Sequence, residues 1–286
     1  MLKKRADVWL VEQGYFASRE QAQRSIMAGE VSIRGKRIEK PGQMIAIGAM
    51  GAEDLAGGLA VAGQQPVQIS PNKEVFVSRG GHKLKKALTV FEIMVSGRIC
   101  LDAGASTGGF TDCLLQAGAA HVYAVDVGYG QLAWKLRQDP RVTIFERENI
   151  RYFDWRRLPV LPGLITSDLS FISLELVAPR FLEFIAPLGD LVTLIKPQFE
   201  AGKGKVGKKG VIRDYRVHIE VLERLAGHGP GWGWLLLGLD YSPLLGPEGN
   251  VEYLGHWRPV REVADGPGIS KQKIAEVVSA AWSDLI

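Results

Sequence analysis

RICLDAGASTGGFTDCLLQAG (residues 98–118) starts as a short apolar run, turns through glycines and continues as an amphipathic segment that stops at Gly118. That order specifies a strand, a tight loop and a helix, the local structure that seats nucleotide-type ligands. A dinucleotide fingerprint requires glycine at three places. Gly104 and Gly109 meet it here, but Ser106 stands at the middle place. A Cβ there keeps a pyrophosphate at a distance, no Lys or Arg lies in the loop to receive one, and Asp102 just before the turn repels it.

Beyond this loop, from Val75 onward, strand-like runs alternate with helical segments. The runs are ICLDAG, HVYAVDVG, VTIFERE, LITSDLS, DLVTLIKP, WLLLGLDYS and VEYLGHWR. Such alternation specifies an α/β fold, a mainly parallel sheet covered on both faces. The last two runs are joined by PLLGPEGN, too short for a helical crossover, so they should pair antiparallel. A parallel sheet closed by an antiparallel hairpin is the layout of the class I (Rossmann-like) methyltransferase fold. Its cofactor, S-adenosylmethionine, carries an amino group and a sulfonium in place of phosphate, which suits an acidic residue and exposed backbone groups. The candidate cofactor residues are Asp102, Gly104, Ser106, Thr107, Gly108, Gly109 and Phe110 in the loop. Asp126, 24 residues after Asp102, is placed for the ribose hydroxyls, and Asn149 and Ile150 for the adenine edge. No metal site is expected.

The basic charge of the chain is confined to its start. Residues 1–40 hold nine Lys/Arg against five Asp/Glu, whereas residues 41–286 carry 26 of each. A small basic module points to a polyanion, and nucleic acid is the commonest. Within it, SREQAQRSIMAG reads as a helix with a Ser18–Gln21 capping box and Gly29 as its left-handed stop. An earlier helical stretch, RADVWLVEQG, ends at Gly14, and VSIRGKRI alternates around Arg34–Gly35 as a hairpin. This arrangement resembles the S-four (alpha-L) RNA-binding domain, and the resemblance covers about residues 3–47. It implies an RNA contact through Arg5, Arg19, Arg24, Arg34, Lys36 and Arg37. Residues 48–74 read as a linker, Gly/Ala-rich over 48–65, although the first domain could extend to residue 70 around an inserted loop, with PVQIS as its last strand. Residues 75–286 form the second domain.

Two cysteines, Cys100 and Cys113, cannot staple a fold of this size, so a reduced, cytoplasmic setting is expected. The N-terminus lacks the apolar core of a secretory signal, and LAGHGPGWGWLLLGL is too broken by Gly and Pro to span a bilayer.

Charged residues gather near the expected carboxyl ends of the strands. Asp168 follows LITS and Lys196 follows DLVTLI, while Lys83 lies in VSRGGHKLKKAL and Glu252 in NVEYLGHW. Each alone reads as a surface charge or an edge ion pair. Together they resemble the Lys-Asp-Lys-Glu tetrad of FtsJ-like RNA ribose 2′-O-methyltransferases. SRGGHKL, LDAGASTGGFTD, SDLSFISL, IKPQFE and GNVEY resemble, in form and order, the TlyA family, which joins that fold to an S-four module. The resemblance covers nearly the whole chain except the Gly/Ala-rich stretch. It implies Lys83, Asp168, Lys196 and Glu252 as the catalytic residues, and cytidine 2′-O-methylation of ribosomal RNA or ribosomal subunits as the activity. A ribose hydroxyl is a poor nucleophile at neutral pH, so a lysine able to take its proton or stabilise the alkoxide suits this chemistry, and Lys196 is the choice for it. The segment EAGKGKVGKKGVIRDYR adds Lys203 and Lys205 as phosphate contacts. Base N-methylation and pyrimidine C-methylation fit less well: DLSF replaces the (Asp/Asn)-Pro-Pro-(Tyr/Phe) turn, and no cysteine lies near it. Two further readings are a membrane-active haemolysin, a name carried within this family, and an RNA-binding assembly factor with incidental methylation. No membrane partner is expected.

Overall fold

A computed structural model describes residues 2–27, 29–33, 35–47, 67–69, 76–202, 204–207, 210–262 and 268–286. Arg34, Lys203 and the Gly/Ala-rich residues 48–65 lie outside the described residues. The chain divides into two compact units, Met1–Val75 and Phe76–Ile286.

The first unit runs β1 (Leu2–Arg5), α1 (Ala6–Glu12), α2 (Arg19–Met27), β2 (Val31–Ile33), β3 (Lys36–Arg37), β4 (Met44–Ile47) and β5 (Val67–Ile69). Strand β1 pairs antiparallel with β4, and β2 is flanked by β3 and β5. Residues 67–69, inside the stretch read as linker, are thus a strand of this unit. The capping residues of α2 act as a reciprocal pair: Ser18 Oγ accepts the Gln21 N–H at 3.2 Å, and Gln21 Oε1 accepts the Ala17 N–H at 3.2 Å. Gly29, at φ +73°, ends the helix as a left-handed residue. Trp9, Leu10, Ala22, Ile26, Val31 and Ile38 close a small core.

The second unit continues with α3 (Gly80–Val90), β6 (Ile99–Ala103), α4 (Gly109–Gln116), β7 (His121–Asp126), α5 (Trp134–Arg137), β8 (Val142–Glu146) and β9 (Leu164–Ser167). It ends with α6 (Leu174–Phe181), β10 (Asp190–Ile195), α7 (Pro197–Glu200), α8 (Tyr215–His228), β11 (Trp234–Tyr241), β12 (Tyr253–Pro259) and α9 (Lys271–Leu285). The seven strands order as β11-β12-β10-β9-β6-β7-β8, with β12 antiparallel to both neighbours and the others parallel. Strands buried on both faces read as unbroken apolar runs, and all six residues of β10 are buried. Successive residues feed two cores: Cys100, Val122 and Ala124 join one, and Leu101, Tyr123 and Val125 the other. The chain leaves β6 toward β7 on one side and returns to β9 on the other. That switch opens a crevice at the carboxyl ends of the strands, the place where such sheets bind ligands.

Candidate active site

A cleft of about 1020 Å³ occupies this crevice. Gly104 and Ser106 line it after β6, Asp126 and Val127 at the end of β7, and Glu148, Asn149 and Ile150 after β8. Residues 168–173 line it after β9, and Gln198 and Phe199 after β10.

The loop after β6 is shaped around Asp126. Ser106 adopts φ +48°, and its N–H donates to Asp126 Oδ2 at 2.8 Å. The Gly128 N–H donates to Oδ1 at 2.7 Å, so two backbone donors fix the carboxylate and leave further lone pairs for hydroxyls in the cleft. Gly104 sits at φ +88°, and a Cβ there would lie 2.7 Å from the Asp168 carbonyl oxygen. Only glycine lets the loop pass this close behind Asp168. Asn149 Oδ1 accepts the Arg151 N–H at 3.0 Å and sets the turn that carries Ile150.

Five residues expected at the cofactor do not line the cleft. Asp102 has no exposure; Thr111 Oγ1 donates to its Oδ2 at 2.7 Å, and the Thr166 hydroxyl lies 3.4 Å from Oδ1. Burial pushes its carboxyl up to about 7, the Thr111 hydrogen bond opposing and the Asp168 charge adding. Asp102 thus supports the loop from below. Thr107 is exposed, and its carbonyl accepts the Ala133 N–H at 3.1 Å. A Cβ at Gly108 would strike Leu132 and Leu136, and one at Gly109 would lie 2.2 Å from Ser78 Oγ and 2.9 Å from the Gly81 nitrogen. These glycines serve close packing of α4, and Phe110, 3% exposed, is core.

Lys83, Asp168, Lys196 and Glu252 form two ion pairs. Lys83 Nζ lies 2.5 Å from Glu252 Oε2, and both residues are buried. Lys196 Nζ lies 2.7 Å from Asp168 Oδ1 and donates to Ser170 Oγ at 2.8 Å. The Asp168 contact is one of charge, for no hydrogen bond is directed at Oδ1. Ile195 pairs with Tyr253 across β10 and β12, so Lys196 and Glu252 occupy the next step of that register. Asp168 lines the cleft, whereas Lys83, Lys196 and Glu252 are not among its lining residues.

Sequence reasoning passed over several lining residues in SDLSFISL and IKPQFE. Phe171 is 90% exposed at φ +63°, with its ring centroid 4.9 Å from that of Phe199. The available signal was position: both segments follow strand ends, yet only their charged residues were singled out.

In the first unit Asp7, fully buried, gathers two of the expected RNA contacts, Arg5 and Arg19. Arg5 grips it through two nitrogens at 3.0 Å, Arg19 Nε lies at 2.9 Å and Gln23 Nε2 at 2.8 Å. Arg5 first, with Gln23 and Arg19 and against the cost of burial, holds the Asp7 carboxyl well below the usual range. Arg5, Arg19, Arg24, Lys36 and Arg37 remain exposed. Lys205 is exposed and paired with Glu220.

Comparison with known proteins identifies the two families to which the units are similar. The FtsJ-like methyltransferase family matches residues 76–258, and the S4 domain matches residues 4–50. YqxC of Bacillus subtilis is 44% identical, over 99% of this chain and 95% of that protein. The 16S/23S rRNA (cytidine-2′-O)-methyltransferase TlyA of Mycobacterium tuberculosis is 45% identical, over 88% of each chain. A solved structure from Streptococcus thermophilus that carries a hemolysin name is 41% identical, with a TM-score of 0.72 over 99% of this chain and 97% of that one.

Proposed function

The chain belongs to the FtsJ-like methyltransferase family, and from that premise we propose that it methylates a ribose 2′-hydroxyl of ribosomal RNA, at cytidine, with S-adenosylmethionine as methyl donor. The observation that carries the reading is the Lys196–Asp168 pair, of which Asp168 lines the same cleft as Asp126 at one sheet edge. Bound S-adenosylmethionine supplies a methyl group already activated on a sulfonium. The cleft suits it: Asp126 would accept from the ribose hydroxyls, the Asn149–Ile150 turn would meet the adenine edge, and the loop presents backbone at Gly104 and Ser106 where a phosphate ligand would want a cation. At about 1020 Å³ the cleft is at the upper end of the usual range for a small-ligand site and leaves room for an acceptor nucleoside.

The acceptor hydroxyl keeps its proton at neutral pH; as its oxygen is methylated the proton passes to water, and the oxygen needs a partner while it carries the developing charge. An ammonium has three donors. Ser170 takes one from Lys196, and Asp168 lies 2.7 Å from the nitrogen as a charge contact without a directed hydrogen bond, so donor capacity remains for that oxygen. Lys83 and Glu252 neutralise one another and tie α3 to the residue that precedes β12. The exposed arginines of the first unit, two of them braced on Asp7, supply phosphate contacts. Among the described residues no helix is long and apolar enough to cross a membrane.

The test uses the full chain, labelled S-adenosylmethionine and unmethylated ribosomal subunits, followed by mapping of the label. Label on a base, or none on RNA, overturns the reading. In single turnovers at saturating cofactor, Lys196→Ala should bind both substrates yet lose about 10²–10⁴-fold in rate. Lys196→Arg should not restore it, because a planar guanidinium fork does not occupy an ammonium's place. A wild-type rate for Lys196→Ala removes the catalytic assignment.

A further inference from the structure

We infer that Glu200 is a positioning residue: its buried carboxylate ties the loop carrying Asp168 and Ser170 to the turn that begins at Lys196, and so aims the Lys196 ammonium. The inference rests on the catalytic reading of Lys196 given above.

Glu200 ends α7, a single turn whose cap is Lys196 and whose first residue is Pro197. The Phe199 N–H donates to the Lys196 carbonyl at 2.9 Å and the Ala201 N–H to that of Pro197 at 2.8 Å. Lys196 and Glu200 therefore belong to one closed unit. The Glu200 side chain reaches out of it: Oε1 accepts the Leu174 N–H at 2.8 Å, and Oε2 accepts the Ser173 hydroxyl at 2.7 Å. Both donors stand at the start of α6, where the first N–H groups have no partner within the helix. The Ser173 hydroxyl in turn accepts the Glu175 N–H at 3.3 Å. The loop of residues 168–172 is thus held at one end by β9 and at the other by Glu200, and between those ends it meets Lys196 twice, through Asp168 and Ser170.

A carboxylate is an expensive group for this place. Glu200 is 9% exposed, and burial raises its carboxyl above the usual range against the two hydrogen bonds it receives. Arg224, from α8, offsets part of that cost: Nη2 donates to the Glu200 carbonyl at 2.7 Å and lies 3.8 Å from Oε2, while Nη1 bonds Glu175. An exposed Ser, Thr or Asp would cap α6 without any such expense. What the buried position adds is the link to Lys196. A void of about 20 Å³ lined by Ser167, Leu174, Lys196, Phe199 and Glu200 among others gives these elements room to shift once the tie is cut.

The test uses the full-length protein with unmethylated subunits, in single turnovers at saturating S-adenosylmethionine. Glu200→Ala should lower the transfer rate about 10–100-fold, the range a misplacement of about 1 Å produces. Its dissociation constants for S-adenosylmethionine and for subunits should stay within about twofold of wild type. Glu200→Gln keeps an acceptor for Leu174 and offers an N–H to Ser173 Oγ, and should recover the rate to within about threefold. The double variant Ser170→Ala/Glu200→Ala should lose less than the product of the single losses, since both changes act on Lys196. A purely structural cap gives another pattern: a lower melting temperature with an unchanged rate per folded molecule. That pattern, or a Gln variant as slow as the Ala variant, overturns the inference. A wild-type rate for Lys196→Ala would instead remove the catalytic reading beneath it, and the two failures are told apart by which variant stays fast.

Discussion

Lys83 and Lys196 are one residue type in two settings, and their loss should read differently. Glu252 is 1% exposed, so Lys83→Ala leaves a buried carboxylate without its cation and should cost about 3–5 kcal/mol. Asp168 keeps 23% side-chain exposure beside an open cleft, so Lys196→Ala should cost less than about 1–2 kcal/mol. Urea denaturation of the two variants checks the difference, and equal losses would contradict the burial contrast. Asp102 makes a second prediction at this scale. Its carboxyl is raised to about 7, chiefly by burial, whereas an unfolded chain ionises it near 3.9. Between those values the folded protein holds a proton that the unfolded chain has released. The contribution of Asp102 to stability is therefore full below about pH 4 and is lost as pH rises through about 7. Asp102→Asn should flatten that fall, by a few kcal/mol at most across the window; parallel stability–pH curves would refute it. The sequence shows Asp102 and Asp126 as two acids at two strand ends and does not separate them. Which one is swallowed by the sheet and which meets the cleft depends on how α4 and the neighbouring strand cover each, a property of the folded loop.

Elements were the most readable level, because strands buried on both faces leave continuous apolar runs and glycines mark their ends. All seven runs of the second unit became strands, in an order with the hairpin antiparallel as expected. The uses of the glycines were less readable. Gly104 answers to the Asp168 carbonyl, whereas Gly109 answers to Ser78 and Gly81 at the start of α3, a contact invisible in spacing. Gly109→Ala should therefore act on the α3–α4 packing and cost about 1–3 kcal/mol in unfolding free energy. Chemical denaturation would show it; a stable variant whose only defect is cofactor affinity would return Gly109 to the binding site. Glu200 was equally hidden. It lies in IKPQFE, but nothing in that segment announces a bond to a helix start 26 residues earlier.

Among the described residues the two units have separate cores with no residue in common. Residues 76–286 alone should fold and bind S-adenosylmethionine, yet bind ribosomal subunits weakly. Subunit affinity of the intact chain should fall with salt at a log–log slope of about −3 to −5, as expected if most of Arg5, Arg19, Arg24, Lys36 and Arg37 displace counterions. Binding titrations at several salt concentrations check both; an unchanged slope after deletion would take the RNA contact away from the first unit. The charge asymmetry of the sequence already pointed there, but the bracing of Arg5 and Arg19 on Asp7 did not show in it. One topological fact reaches further. Strand β12, last in the chain, lies inside the sheet between β10 and β11, and Glu252 meets Lys83 across 169 residues. A chain stopped before residue 252 lacks both that interior strand and the partner of Lys83. Such truncated chains should show no methyl transfer, and activity from one would contradict this. Order of synthesis thereby sets when activity can begin: a nascent polypeptide gains the interior strand and the partner of Lys83 only once residues 252–259 have been made.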